Sequence, residues 1–126
     1  ALVLKYRVPK RNGEAPHESA LKDAQRAVSI VRSKAKELGV DEKKIGVLGF
    51  SAGGHLAAMT SMHFENRTYD KLDAIDDVSC RPDFAVLIYP AYLTNKEQTE
   101  LSPDVKITEQ TPPMFMAHAG DDPVTP

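Results

Sequence analysis

Apolar and polar positions alternate along the chain on two different periods, and the change of period marks out its elements. Ala1 to Arg7, rich in Leu and Val, predicts a buried strand. Pro9 to Pro16, with Asn12-Gly13 inside it, reads as a loop. From Glu18 to Leu38 the apolar residues Leu21, Ala24, Val28, Val31, Ala35 and Leu38 recur at steps of three and four, which predicts one long amphipathic helix. Lys22, Arg32, Lys34 and Lys36 fall on its other side, and Gly39 is placed to stop it. Asp41 to Lys44 reads as a solvated turn. Ile45 to Leu48 predicts a strand and His55 to Met62 a helix. Glu65 to Arg81 is polar without a period and reads as surface connection. Phe84 to Tyr89, closed by Pro90, is a further strand. Thr94 to Pro113 is a proline-punctuated loop with room for a helical turn, and Met114 to His118 is the last strand.

The order is therefore β-α-β-α-β-loop-β. Continuous apolar strands separated by helices or long crossings predict an α/β fold: a mostly parallel sheet with helices on both faces. The 126 residues fit one domain, spanning 1–126, and can bury a real core. A net charge of -2 with the two signs interspersed gives no basic stripe, so nucleic acid is not an expected partner. No apolar run is long enough to span a bilayer as a helix. Cys80 stands alone and reads as a small buried hydrophobe. The chain opens inside an apolar run and stops at Asp121-Asp122-Pro123-Val124-Thr125-Pro126, inside a loop. The expectation is an incomplete domain, a piece of a longer protein.

Chemistry enters at Gly49-Phe50-Ser51-Ala52-Gly53, a G-x-S-x-G string between a predicted strand and a predicted helix. A nucleophile at the tip of so tight a turn exposes its hydroxyl while crowding the backbone around it. Gly49 and Gly53 are expected to supply the missing volume, and Gly54 to let the helix pack closely on the sheet. Ser51 is the expected nucleophile. The backbone N–H of Ala52, at the helix N-terminus, is placed to hold a tetrahedral oxyanion.

A serine hydroxyl needs a base, and the base needs an acid to orient it. After a turn of this kind the chain order is serine, then acid, then histidine. Asp121 and Asp122 both follow the last strand and both qualify as the acid. No histidine follows them. His118 precedes the acid and reads as structural, His55 as a packing residue or one that backs the site, and His17 and His63 as surface or local-turn residues. The spacing of histidines and carboxylates matches no metal motif, and no cofactor is implied. The general base is expected outside these residues.

With these motifs in hand, the chain resembles the esterase/lipase branch of the α/β-hydrolase superfamily, acetyl-xylan-esterase-like and other carbohydrate-esterase-like proteins among them. The resemblance runs through Asp23 to Val28, Ile45 to Ala57, Arg81-Pro82-Asp83-Phe84 leading into Leu87-Ile88-Tyr89-Pro90, and Thr111 to Phe115 leading to His118 through Val124. It implies a partial α/β-hydrolase fold with Ser51 as nucleophile, Asp122 as the acid and Ala52 as one oxyanion donor. It also implies two elements outside the chain, a glycine-rich oxyanion loop upstream and the catalytic histidine downstream. The implied activity is hydrolysis of short acyl esters, acetylated carbohydrate being one substrate. The same turn also fits a prolyl-oligopeptidase-type peptidase, a non-catalytic binding protein of this fold, or an inert fragment. A fragment with unpaired apolar edges is expected to oligomerise.

Overall fold

The computed structural model describes residues 1–8, 13, 15 and 17–125. Helix α1 spans Glu18–Ser33 and a single turn, α2, spans Ala35–Leu38. Strand β1 (Gly46–Phe50) leads into helix α3 (Ala52–Met62). A 3₁₀ turn at Ala74–Asp77 precedes β2 (Phe84–Ile88), and β3 (Met114–Ala117) closes the order. The strands form one parallel sheet in the order β1-β2-β3, with Gly46 beside Phe84 and Ala85 beside Met114. Each return between parallel neighbours needs a long crossover; α3 with the segment after it supplies the first, and the 89–113 segment the second.

Period-two alternation decides what the sheet buries. Gly49 on β1 and Ala85 and Leu87 on β2 face α3, where they meet Leu56, Ala57, Ala58 and Met59. Helix α1 lays Ala20, Leu21 and Ala24 on this layer. The opposite face carries Leu48, Phe50, Phe84 and Phe115, all exposed, with the Phe84 ring lying over Gly46. Among the described residues helices cover one face of the sheet. The second layer that such apolar strands call for is not among them.

Several boundaries differ from the sequence expectation. Ala1 to Arg7 forms no strand and is not buried: Val3 is 99% exposed. A strand needs a hydrogen-bonded neighbour, and no described strand lies beside this segment. Its end is held by side chains instead. The Arg7 N–H and Nε both donate to Asp23 Oδ2, at 2.8 and 3.0 Å, and Tyr6 packs against the core. Most of the expected 9–16 loop lies outside the described residues. The long helix breaks at Lys34, and Gly39 ends it in the left-handed region at φ 66 as expected. Its apolar stripe fades there, with Leu38 exposed. The 94–113 loop holds an antiparallel bridge between Thr94 and Leu101.

The polar 65–81 segment is more than surface connection. It folds around Asp76, whose side chain is fully buried against α1. Arg26 meets the carboxylate at 2.8 Å, the Tyr69 hydroxyl donates to it at 2.7 Å and the Leu72 N–H at 2.9 Å. Burial pushes this carboxyl up, but those donors and the Arg26 charge outweigh it and hold it well below the usual range. Burial and the bond to Asp76 push the Tyr69 phenol up to about 12. Cys80 is buried, its thiol donating to the Phe64 carbonyl at 3.4 Å. No described helix is long and apolar enough to cross a membrane.

Candidate active site

The C-terminal edge of the sheet gathers the strained backbone. Ser51 leaves β1 at φ 51, ψ −121, Tyr89 leaves β2 at φ 37, and Tyr92 follows at φ 60. Positive φ is rare for residues with side chains, rarer still for bulky ones, and persists where surrounding contacts enforce it. Here the contacts are backbone hydrogen bonds. The Ser51 N–H donates to the Ile88 carbonyl at 3.0 Å, and the Ser51 carbonyl accepts from the N–H of His55 at 3.0 Å and of Ala91 at 3.2 Å. The Tyr89 N–H donates to the Ala117 carbonyl at 2.7 Å. The turns after β1 and β2 are thus tied into one unit.

Glycines make the approach possible, Gly49 and Gly54 as expected and Gly53 not. A Cβ on Gly49 would overlap the Gly53 carbonyl, so Gly49 has to lack one. A Cβ on Gly53 would meet only the Tyr6 hydroxyl, at 4.0 Å, which is ordinary contact. The crowded partner is Gly54, where a Cβ would stand 3.0 Å from Pro90 Cα and 3.2 Å from the Gly49 carbonyl. Gly54 packs closely against the turn after β2, as expected of it, whereas the volume expected of Gly53 is not needed there.

Ser51 is half-buried and makes no side-chain cap to α3. Ala52 opens that helix, where backbone N–H groups have no intrahelical acceptor and the helix dipole favours negative charge.

Asp122 sits in the turn after β3. Its Oδ1 accepts from the N–H of Val124 at 2.8 Å and of Thr125 at 3.0 Å, and its Oδ2 accepts from the Thr125 hydroxyl at 2.8 Å. The Thr125 and Val124 bonds, with a smaller pull from His118, hold this carboxyl below its ordinary value. His118 Nε2 is 3.7 Å from Asp122 Oδ2. Asp121 is exposed, so of the two aspartates only Asp122 is gripped. Thr125 and Val124 escaped the sequence reading. The spacing Asp-Pro-Val-Thr, an Asx-type turn in which a carboxylate caps the amides two and three residues on, is the signal that would have found them.

Phe50, Ile88 and Ala117 stand side by side in the register. The strand ends that lead to Ser51 and Asp122 therefore share one edge, two strand spacings or on the order of 10 Å apart, with the end of β2 between them.

The remaining histidines are tied into the fold. His55 is buried, edge-on to His17 at 5.4 Å and to Tyr92 at 5.8 Å. Burial, then the neighbouring His17, lowers its pKa, with Asp104 opposing. His63, expected at the surface or in a local turn, meets the Asp104 carbonyl through Nε2 at 2.7 Å and so joins the end of α3 to a distant loop. Among the described residues no three His, Cys, Asp or Glu side chains gather as a metal site.

A parallel sheet whose strand-to-helix turn carries a strained serine at the C-terminal edge defines an α/β-hydrolase fold. The chain belongs to the BD-FAE family, whose profile matches residues 2–87. It is 31% identical to endo-1,4-beta-xylanase B of Butyrivibrio fibrisolvens over the whole chain and 22% of that protein. It is also 31% identical to the acetylxylan esterase of Xylanibacter ruminicola, over 70% of this chain and 15% of that one. Among solved structures it resembles the acetyl ester-xyloside bifunctional hydrolase of Caldicellulosiruptor lactoaceticus, with 36% identity and a TM-score of 0.75 over 97% of this chain and 50% of the other. Esterase 2 of Thermogutta terrifontis, phosphoramylated by tabun, matches with 32% identity and a TM-score of 0.76 over 97% and 48%. The chain thus spans about a fifth or less of the curated relatives and about half of these solved chains.

Proposed function

We propose that this chain carries the nucleophile and the acid of a serine carboxylic-ester hydrolase acting on short acyl esters, acetyl groups on carbohydrate among them. The observation that carries this reading is the backbone of Ser51, held at φ 51 between β1 and α3 where Gly49 admits no Cβ and Gly54 only a crowded one. Such strain is kept where a side chain must be presented. The names of the relatives, acetylxylan esterase and acetyl ester-xyloside hydrolase, support the substrate class.

In this mechanism Ser51 Oγ adds to the ester carbonyl while its proton passes to a histidine outside these residues. That imidazole fills the gap between the Ser51 and Asp122 turns. Asp122, already ionised and fixed by Val124 and Thr125, orients the ring and balances its charge. The Ala52 N–H helps hold the oxyanion. The alcohol departs with the proton, and water then splits the acyl-serine ester to free the acid and restore Ser51.

The test is acid release from alkyl esters of graded acyl length by the longer protein that contains this chain. Acetate is expected to be cleaved fastest, with Ser51→Ala lowering kcat on the order of 10⁴-fold or more. Undiminished hydrolysis by Ser51→Ala would remove Ser51 from the reaction.

A further inference from the structure

Among the described residues, the hydrogen bonds of the turn that carries Asp122 run almost wholly within it. The Asp122 N–H donates to the Ala119 carbonyl at 3.3 Å, and the carboxylate takes the Val124 and Thr125 amides and the Thr125 hydroxyl. One side-chain contact leads out of the turn: His118 Nε2 stands 3.4 Å from Thr125 Oγ1 and 3.7 Å from Asp122 Oδ2. We infer that His118 is a positioning residue for the acid, acting through the Thr125 hydroxyl to fix the carboxylate oxygen that meets the base. The inference rests on the ester-hydrolase reading and deepens it.

Three observations carry it. The first is anchorage. His118 directly follows β3, whose last residue, Ala117, pairs with Ile88 and accepts the Tyr89 N–H at 2.7 Å. Its backbone leaves the same sheet edge from which Ser51 follows β1, so a bond from His118 to Thr125 ties the acid to the sheet that holds the nucleophile.

The second is the direction of the protons. A hydroxyl has one proton to give. Thr125 gives its proton to Asp122 Oδ2 at 2.8 Å, so toward the imidazole its oxygen can only accept, and Nε2 must carry the hydrogen. That N–H holds in place a hydroxyl that would otherwise be free to turn. The side chains of His118 and Asp122 are 25% and 19% exposed, so water reaches these groups only in part.

The third is what stays open on Asp122. A carboxylate offers about four lone-pair sites. Oδ1 uses two on amides and Oδ2 uses one on Thr125, which leaves Oδ2 to receive the base. At 3.7 Å His118 is too far away to occupy that site itself. It steadies the oxygen without blocking it.

The experiment measures kcat and KM for nitrophenyl acetate in the full-length protein, with kcat expressed per serine titrated by a fluorophosphonate. His118→Phe keeps a ring and loses the donor, and is expected to lower kcat roughly three- to tenfold with KM unchanged. His118→Gln, which carries an N–H donor to a similar reach, should recover most of that loss. Thr125→Val should lower kcat about tenfold or more, and adding His118→Phe to it should cost nothing further, because the hydroxyl that links them is gone. An unchanged kcat per serine in His118→Phe, equal losses in the Phe and Gln variants, or losses that multiply in the double variant would each overturn the role. So would a fall confined to the fraction of serine titrated, which marks a residue that only supports folding. Undiminished kcat in Asp122→Asn would instead remove the acid from the reading itself, and the role of His118 with it.

Discussion

Gly49 and Gly53 face each other across the nucleophile turn, and the crowding between them is one-sided. A side chain on Gly49 runs into the Gly53 carbonyl, whereas one on Gly53 points at open space bounded by the Tyr6 hydroxyl. Gly49→Ala is therefore expected to cost at least the roughly 1–3 kcal/mol of an overpacked site, because the obstacle is backbone and cannot rotate away. Gly53→Ala is expected to keep the thermal midpoint within a degree or two. Paired melting curves decide it, and equal losses in the two variants would contradict the geometry.

His55 links stability to pH. Burial, then His17, lowers its pKa from the ordinary 6.5. The unfolded imidazole takes a proton more readily than the folded one, so the contribution is full above pH 6.5 and shrinks as pH falls through it toward the folded value. Melting temperatures should drop between pH 7 and 5, and His55→Gln should flatten that slope. A slope unchanged by the substitution would place its origin elsewhere.

Asp76 titrates lower still. Its depressed pKa gives stability that is present above the ordinary carboxylate value of 3.8 and lost as pH falls through it. Asp76→Ala removes the shared partner of Arg26, Tyr69 and the Leu72 amide, and is expected to lower the thermal midpoint by several degrees at neutral pH. Asp76→Asn, which keeps the shape without the charge, should lose less. A midpoint unchanged in Asp76→Ala would show the network to be dispensable.

The bare sheet face predicts association of the isolated chain. Leu48, Phe50, Phe84 and Phe115 form an exposed apolar surface along adjacent strands. Sedimentation of the 126-residue chain should show self-association that Leu48→Lys with Phe115→Lys relieves. A monomer that binds no hydrophobic dye would contradict this.

Much of the fold was legible because its signals are local. The stripe through Leu21, Ala24 and Val28 marks α1, and the apolar runs at 45–48, 84–89 and 114–118 mark the strands to within two residues. Ala1 to Arg7 misled because strand pattern is a property of the segment, while strand formation requires a neighbour. Asp76 misled for the opposite reason. A polar residue in an aperiodic stretch reads as solvated, and only long-range partners such as Arg26, 50 residues earlier, allow its burial. At the site, the strand-to-helix context pointed to Ser51 and its turn. The grip of Thr125 on Asp122 is also local, though it went unread. The positive φ of Tyr89, held by its hydrogen bond across strands to the Ala117 carbonyl, leaves no mark in composition.

The central claim is that Ser51 is an activated nucleophile. The most direct measurement is the intact mass of the full-length protein before and after treatment with a fluorophosphonate, with Ser51→Ala in parallel. The account predicts one adduct on the wild type, mapped by peptide fragmentation to Ser51, and none on the variant. An unmodified wild type, or an adduct that persists in Ser51→Ala, would contradict it.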